Sequence, residues 1–437
     1  MTVRWLRPGS AEYEAARRPA MPRYGEVHPA AIAQCATPAE VADVLAEARR
    51  TGQPVVPRSG GHCFAGRSTT TGIVLDVSPM ASIDVTDRMV RVGAGVRLPE
   101  VYDALDEVGL TLPAGCGETV GIAGLVLGGG IGLLGRMHGL TSDKLIAAEL
   151  VLADGRVVRC APDEHADLFW AIRGAGGGQF GVVTKLWFTG VPSPSAHRLH
   201  LTWPRDHAVA VVDAWQRWAP YAPDEVNVAV KVTTEGVHVF GLVVDDLDQV
   251  DRLVVAVGSE PATTAIARMP YRELKRSVVG LGDVERAQPR LDVSKSAFFA
   301  GSVPGGTWRE LLASLGDAEL NLTPMGGEYN RHDVDWSAFA HRDQAFLVEL
   351  VTGAPLPSGE EALRTTEAEL RSALAGLFRP LEQFSSGRVY PNFPDPTLPD
   401  ALTAYHGENL DRLRKVKQAY DPDGFFAFPQ SITPAAS

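Results

Sequence analysis

The chain has 437 residues, 45% of them hydrophobic and 22% charged, with a formal net charge of −12. That balance is ordinary for a globular protein, and the negative charge argues against a nucleic-acid or anionic-membrane partner, since both select a clustered positive surface. No uninterrupted apolar stretch approaches membrane-spanning length. Residues 1–8 hold no apolar h-region, so a cytoplasmic protein is expected. Four widely spaced cysteines, Cys35, Cys63, Cys116 and Cys160, form no CxxC pair and fit neither a metal site nor a disulfide scaffold. At this length two domains are expected, with segments free to interleave.

In chain order, Thr37-Pro38-Ala39-Glu40 opens the first clear helix. Thr37 can cap it, Pro38 suits its first turn, and Glu40 completes a capping box. Val41, Val44, Leu45 and Ala48 form its apolar stripe, and Gly52 with Pro54 ends it. A strand over 54–57 then runs straight into Arg58-Ser59-Gly60-Gly61-His62. Two glycines ahead of an imidazole permit a turn with positive φ and close approach to a bulky ligand. Consecutive N–H groups in such a turn can converge on a pyrophosphate. A nucleophilic side chain directly after it points to a residue bonded to a cofactor.

Strands are expected over 72–77 and 89–94, a helix around 98–108, and a glycine-rich stretch over 115–135. A hairpin over 149–158 turns at Asp154-Gly155. Composition changes at 191–195, where a boundary is placed. Beyond it, 226–232 and 237–244 read as a hairpin through Glu235-Gly236, and 346–351 with nearby segments as further sheet. Helices over 307–315 and 359–377 would cover one face. The last segment, from Tyr390 onward, is dense in aromatics and prolines and reads as docked.

Gly130-Ile131-Gly132-Leu133-Leu134-Gly135 matches G-x-G-x-x-G, and 176–181 matches it again. A dinucleotide fold wants a strand before the motif, a helix after it and an acidic residue about 20 positions on. Asp154 has that spacing but belongs to a hairpin turn, which disfavours a nicotinamide-dependent dehydrogenase. The glycines still require several backbone segments to pass close to one large ligand. A non-catalytic flavin-binding protein is the other competing class.

Arg58-Ser59-Gly60-Gly61-His62 resembles the R-x-G-G-H motif of the vanillyl-alcohol-oxidase-type flavoproteins and, within them, of the berberine-bridge-enzyme-like oxidoreductases. Three further blocks agree with this family. They are Pro113-Ala114-Gly115-Cys116 with 120–130; 167–174 running on to Phe180-Gly181-Val182-Val183-Thr184; and Tyr390-Pro391-Asn392-Phe393 with Tyr405-His406-Gly407-Glu408-Asn409. The resemblance implies an α+β fold, the two-domain PCMH-type FAD-binding architecture. Residues 1–190 would bind FAD, 191–388 would form an antiparallel-sheet substrate domain, and 389–437 would return to the FAD domain.

It further implies FAD bonded through its 8α carbon to His62 and through C6 to Cys116. Arg58, Ser59, Gly60, Gly61, Ser68, Val120, Gly121, Gly124, Gly129, Gly130, Leu140, Gly181, Val183 and Asn392 are the expected cofactor contacts. One departure bears on the second bond. In plant members the cysteine stands one residue closer to the glycine than Cys116 stands to Gly121, and the plain reading of Cys116 is a small buried hydrophobe. Val120 falls where the family places an oxygen gatekeeper, and a small side chain there resembles the members that admit O2. The implied reaction is oxidation of a hydroxyl on a small-molecule substrate by hydride transfer to flavin N5, with O2 reoxidising the flavin to give hydrogen peroxide. A non-oxygen acceptor, or oxidative cyclisation of a phenol or amine, are the alternatives.

Two groups compete for the proton. Tyr390 matches the family tyrosine beside the ring. Glu349 is a carboxylate in the apolar run Phe346-Leu347-Val348-Glu349-Leu350-Val351, where burial would raise its pKa toward that of a useful base. An outward-facing, solvated Glu349 is equally consistent with the pattern. Tyr390 could serve as the base if a nearby cation lowered its pKa.

Overall fold

A computed structural model describes residues 3–282 and 289–435. The capping chemistry at Thr37 produces the helix Pro38–Thr51, with Thr37 accepting from the Glu40 amide at 3.3 Å and Gly52 ending it at φ +67. This helix leads from Ala31–Gln34 to Val55–Arg58 in a four-stranded sheet. Its order is Arg4–Leu6, Ala31–Gln34, Ile73–Asp76, Val55–Arg58, and the last three strands pair in parallel. A five-stranded antiparallel sheet follows, in the order Ile83–Thr86, Met89–Gly93, Val182–Thr189, Leu145–Val151, Val157–Cys160. The hairpin turn falls at Asp154-Gly155 as expected, although its first strand begins four residues before Glu149.

The two sheets and the helices Pro38–Thr51 and Leu98–Asp106 share one apolar core. Leu413, Val416, Phe426 and Ile432 belong to that same core, so the C-terminal helix Leu410–Tyr420 is docked on the first half of the chain. A buried Lys417–Asp421 pair at 2.7 Å fastens it, with Lys417 also donating to the Phe426 carbonyl at 2.9 Å.

The middle of the chain builds a seven-stranded, wholly antiparallel sheet. Its order is Thr263–Pro270, Ser195–Trp203, Val237–Val243, Val226–Val232, Glu319–Pro324, Phe346–Pro355, Arg290–Phe299. Alternation along each strand gives the sheet two different faces. One is aliphatic and aromatic, covered by the helices Ala208–Trp218, Asp248–Val257, Gly305–Ser314 and Glu360–Glu382. The last of these outruns its expected end at 377, passing through Pro380, because Phe378 and Leu381 extend the buried stripe.

The other face is polar at its centre. The pairing register puts His238, Lys231, Asn321, Glu349 and Ser296 in one row across five strands. Its apolar margins pack on the glycine-rich segment of the first half. Phe298 and Leu347 cluster with Leu140, Tyr329, Phe339 and Tyr390, while Ala196 and Leu242 cluster with Leu134. Arg136, 1% exposed, ties the halves together, donating to the carbonyls of Val226 at 2.8 Å, Pro220 at 2.9 Å, Ala222 and Met325. Among the described residues no helix is long and apolar enough to cross a membrane.

Both G-x-G-x-x-G matches lose their dinucleotide reading here. Residues 130–135 lie between the short helices Ile122–Leu127 and Gly135–His138 with no strand before them, and 176–181 lead into a strand rather than a helix.

Replacing Arg136 with Met leaves four carbonyls without their donor. Hydrogen bonds to a charged group are worth enough that a loss on the order of 3 kcal/mol is expected. Thermal unfolding checks this, and an unchanged midpoint contradicts the tie.

Candidate active site

The strand Val55–Arg58 delivers the loop to His62, with Gly61 at φ +75. Ser59 Oγ donates to the Ala94 carbonyl at 2.7 Å. The loop around Val120 is held separately, by Leu98 N–H to the Val120 carbonyl and Ile122 N–H to the Val96 carbonyl, both at 3.0 Å. These two loops meet backbone to backbone. A Cβ on Gly60 would stand 2.3 Å from Gly121 N and 2.8 Å from Thr119 O, and one on Gly121 would stand 2.1 Å from Ser59 Oγ. Only hydrogen at both positions permits that approach. The contact brings His62 Nε2 to 2.7 Å from Thr119 Oγ1, and Cys116 lies three residues earlier on that same loop. Arg97 fixes the loop by donating to the Thr119 carbonyl at 2.6 Å.

The surrounding residues form a polar, side-chain-poor cradle. Gly129 and Gly130 take φ values of +112 and +87, and a Cβ on Gly124 would meet nothing within 4 Å. Leu140 is held by its N–H to Asp143 Oδ2 at 2.8 Å, and Asp143 in turn pairs with Arg342, both side chains 1% exposed. Arg58 is buried and donates to the Ala16 carbonyl at 2.6 Å. Gly181 passes against the Val151 carbonyl, and Val183 is buried in the strand that follows. The hydroxyls of Ser68, Thr69 and Ser142 are buried with no hydrogen-bond partner in the protein. Buried hydroxyls are rarely left so, and a large ligand rich in acceptors would satisfy them. The cradle therefore fits a flavin dinucleotide on its own chemistry.

Tyr390 reaches across from the C-terminal segment. Its hydroxyl accepts from Gly130 N at 3.0 Å, Ile131 N at 3.1 Å and Asn392 Nδ2 at 3.0 Å, and Asn392 also donates to the Leu125 carbonyl at 2.9 Å. Burial raises the Tyr390 pKa; the groups opposing it are these amide donors rather than the cation that a tyrosinate base would want.

Glu349 is on the polar sheet face, directly across from Ser296 and Asn321. Burial pushes its pKa up to about 7; a hydrogen bond with Ser294 opposes that, Glu319 adds repulsion and Lys231 attraction. Its neighbour Ser296 carries a buried hydroxyl without a protein partner. Glu349 is one same-face step along its strand from Leu347, which packs in the cluster of Tyr390.

Several contributors gave no sequence signal. Tyr329 clamps the glycine loop, donating to the Gly132 carbonyl at 2.9 Å, and Arg342 supports Leu140 through Asp143. Both come from parts of the chain far from the motifs. Thr119 and Arg97 lie within or beside a recognisable loop but take their roles from its contact with Gly60.

The comparisons with known proteins agree with this geometry. The FAD binding domain family matches residues 29–161, and the family described as berberine and berberine like matches residues 389–433. An uncharacterized FAD-linked oxidoreductase, YgaK, of Bacillus subtilis is 32% identical over 94% of this chain and 92% of its own. This chain is a berberine-bridge-enzyme-like FAD-linked oxidoreductase. As an enzyme of this family it takes FAD as its cofactor. BBE-like 1 of Physcomitrella patens has the same fold, with a TM-score of 0.89 and 26% identity, covering 100% of this chain and 98% of that one. The glucooligosaccharide oxidase of Acremonium strictum, whose FAD is 6-S-cysteinyl and 8α-N1-histidyl, shares the fold with a TM-score of 0.86 at 23% identity, covering 100% and 98%.

Gly121→Ala is expected to force the two loops apart, costing roughly 1–3 kcal/mol of stability by overpacking and lowering the FAD content of the purified oxidoreductase. Absorbance of the isolated protein measures this. Full flavin loading would contradict the backbone contact.

Proposed function

We propose that this oxidoreductase is an oxidase acting on a hydroxyl of a small organic substrate, with FAD tethered through His62 and Cys116. The observation that carries the reading is the place of Glu349, on the sheet face whose Leu347 and Phe298 pack with Tyr390, where burial pushes its pKa up to about 7. A base with that value is half ionised near neutrality and well matched to taking a hydroxyl proton. FAD, when bound, supplies the hydride acceptor and the centre at which O2 is reduced to hydrogen peroxide.

The chain's own residues divide the remaining work. Glu349 takes the proton of the substrate hydroxyl. Tyr390, whose oxygen already accepts from three N–H groups, has only its own proton to offer, so it acts as a donor that orients the substrate. Ser296 and Asn321, opposite Glu349, are the polar neighbours that a hydroxyl-bearing substrate would meet. The contacts assigned to FAD are Arg58, Ser59, Gly60, Gly61, Ser68, Val120, Gly121, Gly124, Gly129, Gly130, Leu140, Gly181, Val183 and Asn392. The proximity of His62 to the Cys116 loop supports attachment of one ring at both, as in the Acremonium oxidase. Half-buried Val120 leaves a small side chain at the loop contact, which supports O2 as the acceptor.

Glu349→Gln is expected to lower the rate of flavin reduction by roughly 10²–10⁴-fold. In the parent the active form of Glu349 is the carboxylate, so the rate rises as pH passes about 7; in the variant that rise disappears. A parental rate in stopped-flow reduction would move the base role to Tyr390. Val120→Leu should slow reoxidation by O2 while leaving reduction unchanged, and unaltered oxygen kinetics would remove the gatekeeper role.

A further inference from the structure

Among the described residues, the wall beside Cys116 contains a buried cation with no buried anion against it. Lys275 sits on the helix Tyr271–Gly282 and is 1% exposed. Its Nζ donates to the Ala114 carbonyl at 2.6 Å, the Gly115 carbonyl at 2.7 Å and the Tyr102 hydroxyl, and it stands 3.7 Å from the centre of the Tyr102 ring. Tyr102 itself donates to the Gly115 carbonyl at 2.6 Å. The two peptide units immediately before Cys116 are thus gripped from the opposite half of the molecule. A cavity of about 200 Å³ opens there, bordered by Cys116, Tyr102, Lys275, Glu118, Arg272 and Arg276. Arg272 and Arg276 are engaged by Asp103 at 2.6 and 2.8 Å, and Glu118 is exposed at the rim.

An ammonium held only by neutral acceptors is costly to bury. Burial pulls the Lys275 amine down to about 7, the charge of a Cys116 thiolate pulls it back up, and Arg272 lowers it further.

We propose that Lys275 is the positioning residue for the second flavin bond, gripping the Ala114 and Gly115 carbonyls and so setting the direction in which Cys116 leaves the chain. The inference rests on the reading that Cys116 bonds flavin C6. In that step an S–H and a ring C–H bond are broken and one C–S bond is made. The two electrons and two protons pass in the end to O2, which leaves as hydrogen peroxide.

The test uses the full-length protein in a His62→Ala background, where Cys116 is the only attachment point. FAD is supplied, and covalent flavin is read over time by intact mass after denaturation. Adding Lys275→Met, which removes the donor to the Ala114 and Gly115 carbonyls, is expected to slow incorporation by about tenfold through misplacement of the sulfur. Lys275→Arg should restore most of the rate. Retention of non-covalent FAD and the thermal midpoint report folding; if the Met variant does not fold, Lys275→Gln is compared with Lys275→Arg instead. An unchanged rate in the neutral variant overturns the proposal. So does equal slowing in the neutral and Arg variants, because a donor restored to the two carbonyls would then restore nothing. If His62→Ala with Lys275 intact carries no covalent flavin, the Cys116 bond itself is overturned, and the role of Lys275 with it.

Discussion

The backbone contact between Gly60 and Gly121 is the constraint on which the site depends. Each loop is anchored independently, the first by Ser59 to Ala94, the second by the main-chain bonds at Val96 and Val120. Two rigidly held loops with hydrogens facing each other can approach until nothing but backbone separates them. That approach decides where His62 and Cys116 stand, because each lies only a few residues from the contact. Any side chain at either glycine would occupy the space that the other loop's backbone now fills.

Around that contact, buried cations lace the two halves of the molecule together. Arg136 reaches from the glycine segment into four carbonyls of the larger sheet unit, and Lys275 reaches the other way into the carbonyls before Cys116. Arg342 crosses to Asp143 and so to Leu140. Charge-assisted bonds of this kind are directional as well as strong. They hold the seven-stranded sheet against the glycine-rich segment, where Phe298 and Leu347 pack with Leu140 and Tyr390. Stability and chemistry share the same lattice of contacts.

Much of the first half was legible from sequence because its signals are local. Thr37 with Glu40 marks a helix start, Asp154-Gly155 a hairpin, and the glycines around His62 a turn of positive φ, and each is realised within a few residues of its signal. The hairpin over 226–243 was legible for the same reason. The strands Ser195–Trp203, Thr263–Pro270 and Arg290–Phe299 were not resolved individually. Thr263–Pro270 is an exposed edge strand with almost no buried residue to set a period, and Arg290–Phe299 pairs with Phe346–Pro355 rather than with a neighbour in sequence. The orientation of Glu349 was undecidable in principle, since an alternating strand shows which residues share a face but not what that face meets. Lys275 carried no signal, because its acceptors lie about 160 residues away.

The most direct test of the account is to digest the FAD-loaded protein and map the flavin-bearing peptides by mass. The close approach of the Gly60 and Gly121 loops predicts one species in which the His62 peptide and the Cys116 peptide are joined through a single flavin. Flavin found on the His62 peptide alone, with the Cys116 peptide unmodified, would contradict it.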